Sequence, residues 1–285
     1  VQYQGCWAVA ARDNYPSLLD EMRRMDGISL RYAKGCNILE DERLEKIVTP
    51  GRASRWDRRP LDEMISEAVS AARNSDVVIA AMGEAANMSG ESGSRTDISL
   101  PECQKKLLKA LTGTGKPVVL VLFSGRPMML AWENEAMTSI LQTWFGGSEA
   151  ADAITDVLFG DVNPSGKLTM SFPFSVGQIP VYYNMKNTGR DAYSKDYRRY
   201  ASNWIDCPNE PLYPFGYGLS YTTFEYSPVA LSDTVMTVNG AVKAKVTVSN
   251  TGEYDGYEVA QLYIRDVVSS ETRPVKELKG FRRVF

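Results

Sequence analysis

The feature that most constrains this chain is an amphipathic helical stretch running straight into a short, unbroken apolar run, and the pattern repeats. From Pro60 to Asn74 the residues Leu61, Met64, Ile65, Ala68, Val69 and Ala72 recur at i, i+3, i+4, with Pro60 at the favoured first position and Asp62 and Glu63 in the first turn. The run Val77 to Gly83 follows, apolar throughout and of strand length, the pattern of a strand buried on both faces. A second cycle opens at Pro101, places Cys103, Leu107, Leu108 and Leu111 on one helical face, ends at Gly113 or Gly115, and continues into the strand-like Pro117 to Phe123. A third runs from Pro127 to Glu135 and then Ser139 to Trp144, and upstream Ser17 to Met25 followed by Ile28 to Tyr32 reads the same way. Helices alternating with buried strands across short connections predict a parallel-rich α/β sandwich, flavodoxin-like, with helices on both faces and ligands beyond the carboxyl ends of the strands.

After Gly160 the texture changes. Asn163-Pro164-Ser165-Gly166 is a turn, and the stretch 173–223 is rich in Tyr, Pro, Gly and Asn, which predicts a long ordered loop region over the sandwich. Beyond Phe224, alternation appears at Val242, Ala244, Val246 and Val248 and again from Val259 to Ile264, with turns at Asn239-Gly240 and Asn250-Thr251-Gly252. The expected division is therefore 1–223 as the sandwich domain and 224–285 as a partial β-sandwich. Four or five strands fit there, against the roughly seven of an immunoglobulin-like sandwich.

Composition removes several kinds of chemistry. The chain has no histidine, which excludes His-based triads and most catalytic zinc sites and leaves carboxylates, Lys, Tyr, Ser and Cys. The cysteines Cys6, Cys36, Cys103 and Cys207 form no CxxC pair and read as free or buried thiols; no cofactor and no metal are expected. The formal charge of −3 is spread without a basic stripe, so nucleic acid is not an expected partner. No run approaches the roughly 18 apolar residues of a membrane span, and the opening Val1-Gln2-Tyr3-Gln4 lacks the marks of a signal peptide.

The polar loop from Gly83 to Asp97 leaves the carboxyl end of a buried strand, where a doubly wound sheet puts its ligands. Within it Glu91 stands between Gly90 and Ser92-Gly93, small neighbours that let a carboxylate project into a cleft. Ser92, Arg95 and Asp97 are loop candidates for substrate binding, with Arg95 and Asp97 placed to pair and hold the loop. Glu84 is the rival carboxylate, better suited to a structural bond to the loop backbone. Read from the residues alone, Glu91 is either a catalytic acid or simply a solvated side chain.

The string GESGSRTDISLP, Gly90 to Pro101, resembles the acid/base loop of glycoside hydrolase family 3. Further likenesses follow in the family's order: Gly115-Lys116-Pro117 with VVLVLFSGRP to Pro127, Thr143 to Gly147, Asp156 to Leu168, and Tyr213 to Tyr221. The resemblance covers essentially the whole chain. It implies the family's C-terminal α/β sandwich followed by the start of its fibronectin type III domain, as in exported bacterial β-glucosidases. It further implies Glu91 as general acid/base, a β-glucoside or oligosaccharide as substrate, a periplasmic or extracellular location, and an Asp nucleophile on an N-terminal (β/α)8 barrel. Nothing in these residues provides the eight-fold pattern of that barrel, so the chain is expected to be a portion of a longer enzyme, inactive alone.

Other readings stay open at this point. β-Xylosidase or N-acetylglucosaminidase specificity belongs to the same family. A non-catalytic carbohydrate-binding module would favour an exposed aromatic platform over an unpaired carboxylate. A nucleotide binder fits the architecture, but neither GxxxxGK[ST] nor GxGxxG follows an expected strand. Trp132 and Trp144 read as packing residues rather than sugar platforms. Asp206, Arg198, Arg199 and Tyr200 fall in the loop region without a specific assignment.

Overall fold

The computed structural model describes residues 15–49, 56–190 and 197–285. The expectation for Cys6 lies outside the described residues. Three parallel strands, β1 (Val78–Gly83), β2 (Val118–Phe123) and β3 (Ser139–Gln142), form one sheet in the order β1-β2-β3. Each pair is joined by a helical crossover: α4 (Glu102–Thr112) between β1 and β2, and α5 (Ala131–Ala136) between β2 and β3. Helix α3 (Leu61–Arg73) precedes β1, and α6 (Ala150–Phe159) follows β3.

The alternation of side chains along β2 builds two cores. Val118, Leu120 and Leu122 face a cluster with Ala68 and Ala72 of α3 and Leu107, Leu108 and Leu111 of α4. Val121 and Phe123 face the opposite cluster, with Ala150, Ala151 and Ile154 of α6 and with Leu18 and Met22 of α1 (Leu18–Arg24). Apolar stripes on both sides of a central strand leave it no wet face, so the run is continuously hydrophobic. On β1 burial is less complete: Ala81 is exposed, and Val77, just before the strand, is half exposed.

Helix ends follow the local signals. Ser17 caps α1 through a capping box with Asp20, Asp41 caps α2 (Glu42–Val48) by accepting from the N–H groups of Arg43 and Leu44, and Gly160 closes α6 in the left-handed region. Two expectations are corrected. Ile28 to Tyr32 is not assigned as a strand among the described residues; Ile28 and Leu30 pack on the second cluster. Pro127 does not open a helix, since α5 begins at Ala131.

The region after Pro173 lies over the first cluster. Phe172, 1% exposed, exchanges backbone hydrogen bonds with Tyr213, and Gln178 is buried, accepting from Phe174 N at 2.6 Å and donating to Pro208 O at 2.7 Å. Beyond it come six short strands rather than four or five: β4 (Phe224–Tyr226), β5 (Ala230–Leu231), β6 (Ala244–Lys245), β7 (Val248–Asn250), β8 (Glu258–Ile264) and β9 (Glu277–Val284). They pair antiparallel as β4-β7, β5-β6 and β8-β9.

The two recurring turn motifs tie this β region to the sandwich. Asn163 accepts from Ser220 Oγ and Tyr221 N, each at 2.8 Å, and donates to Asp255 O at 3.0 Å. Lys167 donates to Gly218 O at 2.8 Å and pairs with Glu258 of β8 at 3.1 Å. Among the described residues no helix is long and apolar enough to cross a membrane.

Candidate active site

The carboxyl ends of the three strands meet at one edge, and Gly83 shapes it. Its φ of +137° is a backbone conformation that side chains rarely allow, and a Cβ there would sit 1.8 Å from Phe123 O. Gly83 therefore turns the chain out of the sheet in direct contact with β2. Its N–H and C=O are both taken by the buried side chain of Gln104 on α4, at 2.8 and 2.9 Å. The amide of Gln104 also reaches Ile38 O at 2.9 Å, so one side chain satisfies three backbone groups, two at the end of the departing strand and one from the segment before α2.

The turn drops Glu84 into the edge, its side chain 0% exposed. One carboxylate oxygen lies 2.9 Å from Arg95 Nη1, and the other accepts from Gly125 N at 3.4 Å. Arg126 Nε lies 3.2 Å from the first oxygen but off the line of a hydrogen bond, so that contact is an electrostatic one. Arg126 follows β2 in the segment Ser124-Gly125-Arg126, where Gly125 has room for no side chain: a Cβ would lie 2.0 Å from Ser89 Oγ. Ser124 is fully buried, donating to Arg126 O at 2.9 Å and accepting from Gln142 of β3 at 3.0 Å.

Between Glu84 and Arg95 the chain makes one turn of 3-10 helix at Ala86–Ser89 and then a β-turn closed by Gly93 N donating to Gly90 O at 3.0 Å. Glu91 and Ser92 are its central residues, with Ser92 in the left-handed region at φ +59°, as the third position of such a turn requires. Glu91 is exposed and, among the described residues, takes part in no hydrogen bond or ion pair. It stands at the tip of a turn whose flanks are held from below.

The other loop candidates divide. Ser92 is exposed beside Glu91. Arg95 does not pair with Asp97 as expected; its guanidinium is committed to Glu84 and to Ser99 O at 2.9 Å. Asp97 instead accepts from Ser99 N at 2.8 Å, a bond that holds its carboxyl below the usual carboxylate range. Glu84 does not bond the backbone of its own loop as expected; its carboxylate is held by the Arg95 side chain and by Gly125 N beyond β2. Arg126, Gln104 and Gln142 were missed by sequence reasoning, and the one available signal for Arg126 was its place just beyond a strand's carboxyl end.

Elsewhere, a cavity of about 630 Å³ lined by Arg190, Arg198, Arg199, Tyr200 and Ala201 shares no residue with the Glu91 loop. Trp132 is partly buried beneath Lys109 Nζ, 5.7 Å from the ring, and Trp144 is partly buried with its ring 5.9 Å from that of Phe172. Among the described residues no cluster of three or more His, Cys, Asp or Glu side chains could hold a metal ion.

Comparison with known proteins matches residues 2–221 to the glycosyl hydrolase family 3 C-terminal domain and residues 258–285 to a fibronectin type III-like domain. A periplasmic beta-glucosidase of Salmonella typhimurium is 51% identical over 260 residues, covering 91% of this chain and 34% of that protein. A beta-xylosidase of Formosa agariphila is 42% identical over 276 residues, covering 95% of this chain and 34% of that protein. Among solved structures, the beta-glucosidase from Listeria innocua in complex with glucose superposes with a TM-score of 0.76 at 44% identity, over 79% of this chain and 31% of that one. The chain thus spans about a third of the length of these relatives.

Proposed function

Because this chain belongs to glycoside hydrolase family 3, we propose that it serves as the C-terminal portion of a retaining β-glucosidase, with Glu91 as the general acid/base. The division of labour is 1–223 as the catalytic-loop sandwich and 224–285 as the fibronectin type III-like unit. The partner is an N-terminal barrel carrying the nucleophilic carboxylate, and the substrate is a terminal β-D-glucosyl residue. Export to the periplasm is the location that the name of the Salmonella relative favours.

The single observation behind the catalytic role is the state of Glu91: a carboxylate held at the tip of a braced turn, exposed, with no protein partner among the described residues. A retaining glycosidase needs two carboxyl groups about 5–5.5 Å apart, one to attack the anomeric carbon and one to protonate the departing oxygen. Glu84 cannot take either part, since its oxygens are buried under Arg95, Arg126 and Gly125 N. Glu91 can reach outward to a bond presented from a facing domain. In the first step its carboxyl proton passes to the glycosidic oxygen as the C–O bond breaks. In the second, the resulting carboxylate takes a proton from the water that attacks the glycosyl-enzyme.

The test is Glu91→Gln in the full-length enzyme that carries this chain. Turnover of glycosides with poor alkyl leaving groups should collapse, while activated aryl glycosides, which depart without a proton, should be spared. Equal loss on both would remove the assignment. The Formosa relative favours a second specificity, β-xyloside hydrolysis, and a panel of aryl glucosides and xylosides on the intact enzyme decides between them. A purely carbohydrate-binding role would leave Glu91→Gln without kinetic effect.

A further inference from the structure

The exposure of Glu91 poses a mechanical problem: a side chain on a surface turn must be held to within a fraction of an ångström of a bond that another domain presents. We propose that Glu84 is the positioning residue that fixes the Glu91 turn, acting through the guanidinium of Arg126 and, on the far leg of the loop, through that of Arg95. This inference rests on the reading of Glu91 as the acid/base.

The geometry of the two arginines carries it. Arg126, three residues beyond the end of β2 and 3.2 Å from Glu84 Oε1, donates through Nη2 to Met88 O and, at 3.2 Å, to Gly93 O. Met88 and Gly93 are the residues on either side of the Ser89 to Ser92 segment, so one guanidinium brackets Glu91 from both directions. Arg95, 2.9 Å from Glu84 Oε1, donates to Ser99 O at 2.9 Å where the loop runs down toward α4. Glu84 itself sits one residue beyond the rigid end of β1, with Glu84 N donating to Phe123 O at 2.7 Å. Sheet, carboxylate, guanidinium and turn form one chain of contacts, hydrogen-bonded except for the electrostatic link from Glu84 to Arg126, and the planar guanidinium keeps Nε on Glu84 while Nη2 serves both turn carbonyls, a division that the single nitrogen of a Lys could not make.

Stability alone is a poor account of this arrangement. A desolvated carboxylate with two cations is an expensive way to fill space that apolar side chains would fill as well. The two guanidiniums stay partly wet, with side chains 18% and 21% exposed, while the carboxylate between them is dry. The device fixes direction: Arg126 ends on carbonyls before and after Glu91, and Arg95 on the carbonyl of Ser99 where the loop leaves for α4.

The experiment compares Glu84→Gln and Arg126→Lys with wild type and Glu91→Gln in the full-length enzyme, using a series of aryl and alkyl glycosides of graded leaving-group acidity. Glu84→Gln keeps the shape and removes the charge; Arg126→Lys keeps the charge and removes the fork. Both should lower kcat/KM on the poorest leaving groups by about 10²-fold, the cost of roughly 1 Å of misplacement. Activated aryl substrates should stay within about threefold, because a misplaced acid leaves unassisted departure untouched. If either folded variant loses activity equally across the series, or not at all, Glu84 is a structural residue only and the inference falls. If Glu84→Gln does not fold, Arg126→Lys carries the decision; if neither folds, the clamp is a folding element and the inference also falls. The readings separate cleanly: equal loss in Glu91→Gln defeats the acid/base assignment, whereas the leaving-group signature in Glu91→Gln without it in the other two defeats only the positioning role.

Discussion

Gly83→Ala probes the point where fold and site join. The backbone there has φ +137°, a region that residues with a Cβ enter at a cost of about 1–3 kcal/mol. The added methyl would lie 1.8 Å from Phe123 O, so β1 and β2 must separate locally by well over 1 Å, roughly the gap to an ordinary contact. That movement opens the bond from Glu84 N to Phe123 O and strains the pair that Gln104 makes with Gly83, all within a buried edge. Two buried groups left unpaired cost about 1–3 kcal/mol each, which with the backbone term brings the total to on the order of 4 kcal/mol.

Gly115→Ala is the control. Gly115 also has a positive φ, +75°, but a Cβ there meets nothing within 4 Å, so only the conformational cost of about 1–2 kcal/mol applies. In urea titrations of the chain followed by far-UV circular dichroism, an m-value of about 3 kcal/mol/M converts these figures to midpoint losses of about 1.3 M for Gly83→Ala and about 0.3–0.7 M for Gly115→Ala. A Gly83→Ala midpoint indistinguishable from that of Gly115→Ala would show that the close approach to Phe123 O does not constrain the turn, and the account of how Glu84 is delivered would fail with it.

Leu108, 0% exposed between α4 and the sheet, should cost about 2–5 kcal/mol as Leu108→Ala in the same titration, while Leu44→Ala, at a site 53% exposed, should stay within about 0.5 kcal/mol. Gln104→Leu preserves volume but strands Gly83 N–H, Gly83 O and Ile38 O; a loss of at least about 2 kcal/mol is expected, with the Gly83 amide losing its protection in hydrogen exchange. The Tyr213 hydroxyl is pushed up to about 12, by burial first and then by Tyr217 and Glu133. With the folded pKa above the ordinary value near 10, its contribution to stability is complete below about pH 10 and disappears as pH rises toward about 12. Phenolate absorbance should show one tyrosine fewer titrating late in Tyr213→Phe, and an unchanged alkaline titration would contradict the assignment.

What could be seen in the sequence, and what could not, divides along the range of the interactions. The helices α3 and α4 and the strands β1 and β2 follow from apolar spacing within a dozen residues, and they appear within a residue or two of where that spacing puts them. Ile28 to Tyr32 marks the limit of the same signal. Its apolar residues do pack on a core, yet among the described residues the segment is not a strand; periodicity reports burial without reporting a partner. The first part of the β region differs again: Ala244 and Val246 alternate as strand residues should yet are exposed, because β4 to β7 are two or three residues long and pair only as separate ribbons.

The loop shows why Glu91 could be singled out by motif while its support could not. Arg95 and Asp97 are two residues apart, and proximity in sequence made them the obvious pair. A salt bridge between two exposed side chains is worth little in water, whereas a buried carboxylate must find cations or remain unpaired at high cost. Glu84 is that buried carboxylate, so it captures Arg95 from 11 positions away and draws in Arg126 from beyond the next strand, while Asp97 is satisfied by a single backbone N–H of Ser99. The parallel crossover through α4 is what brings Glu84 and Arg126 to the same sheet edge. Only after the strands are paired in register, Gly83 beside Phe123, does the carboxylate acquire the surroundings that decide which arginines it holds, and with them where the turn bearing Glu91 comes to rest.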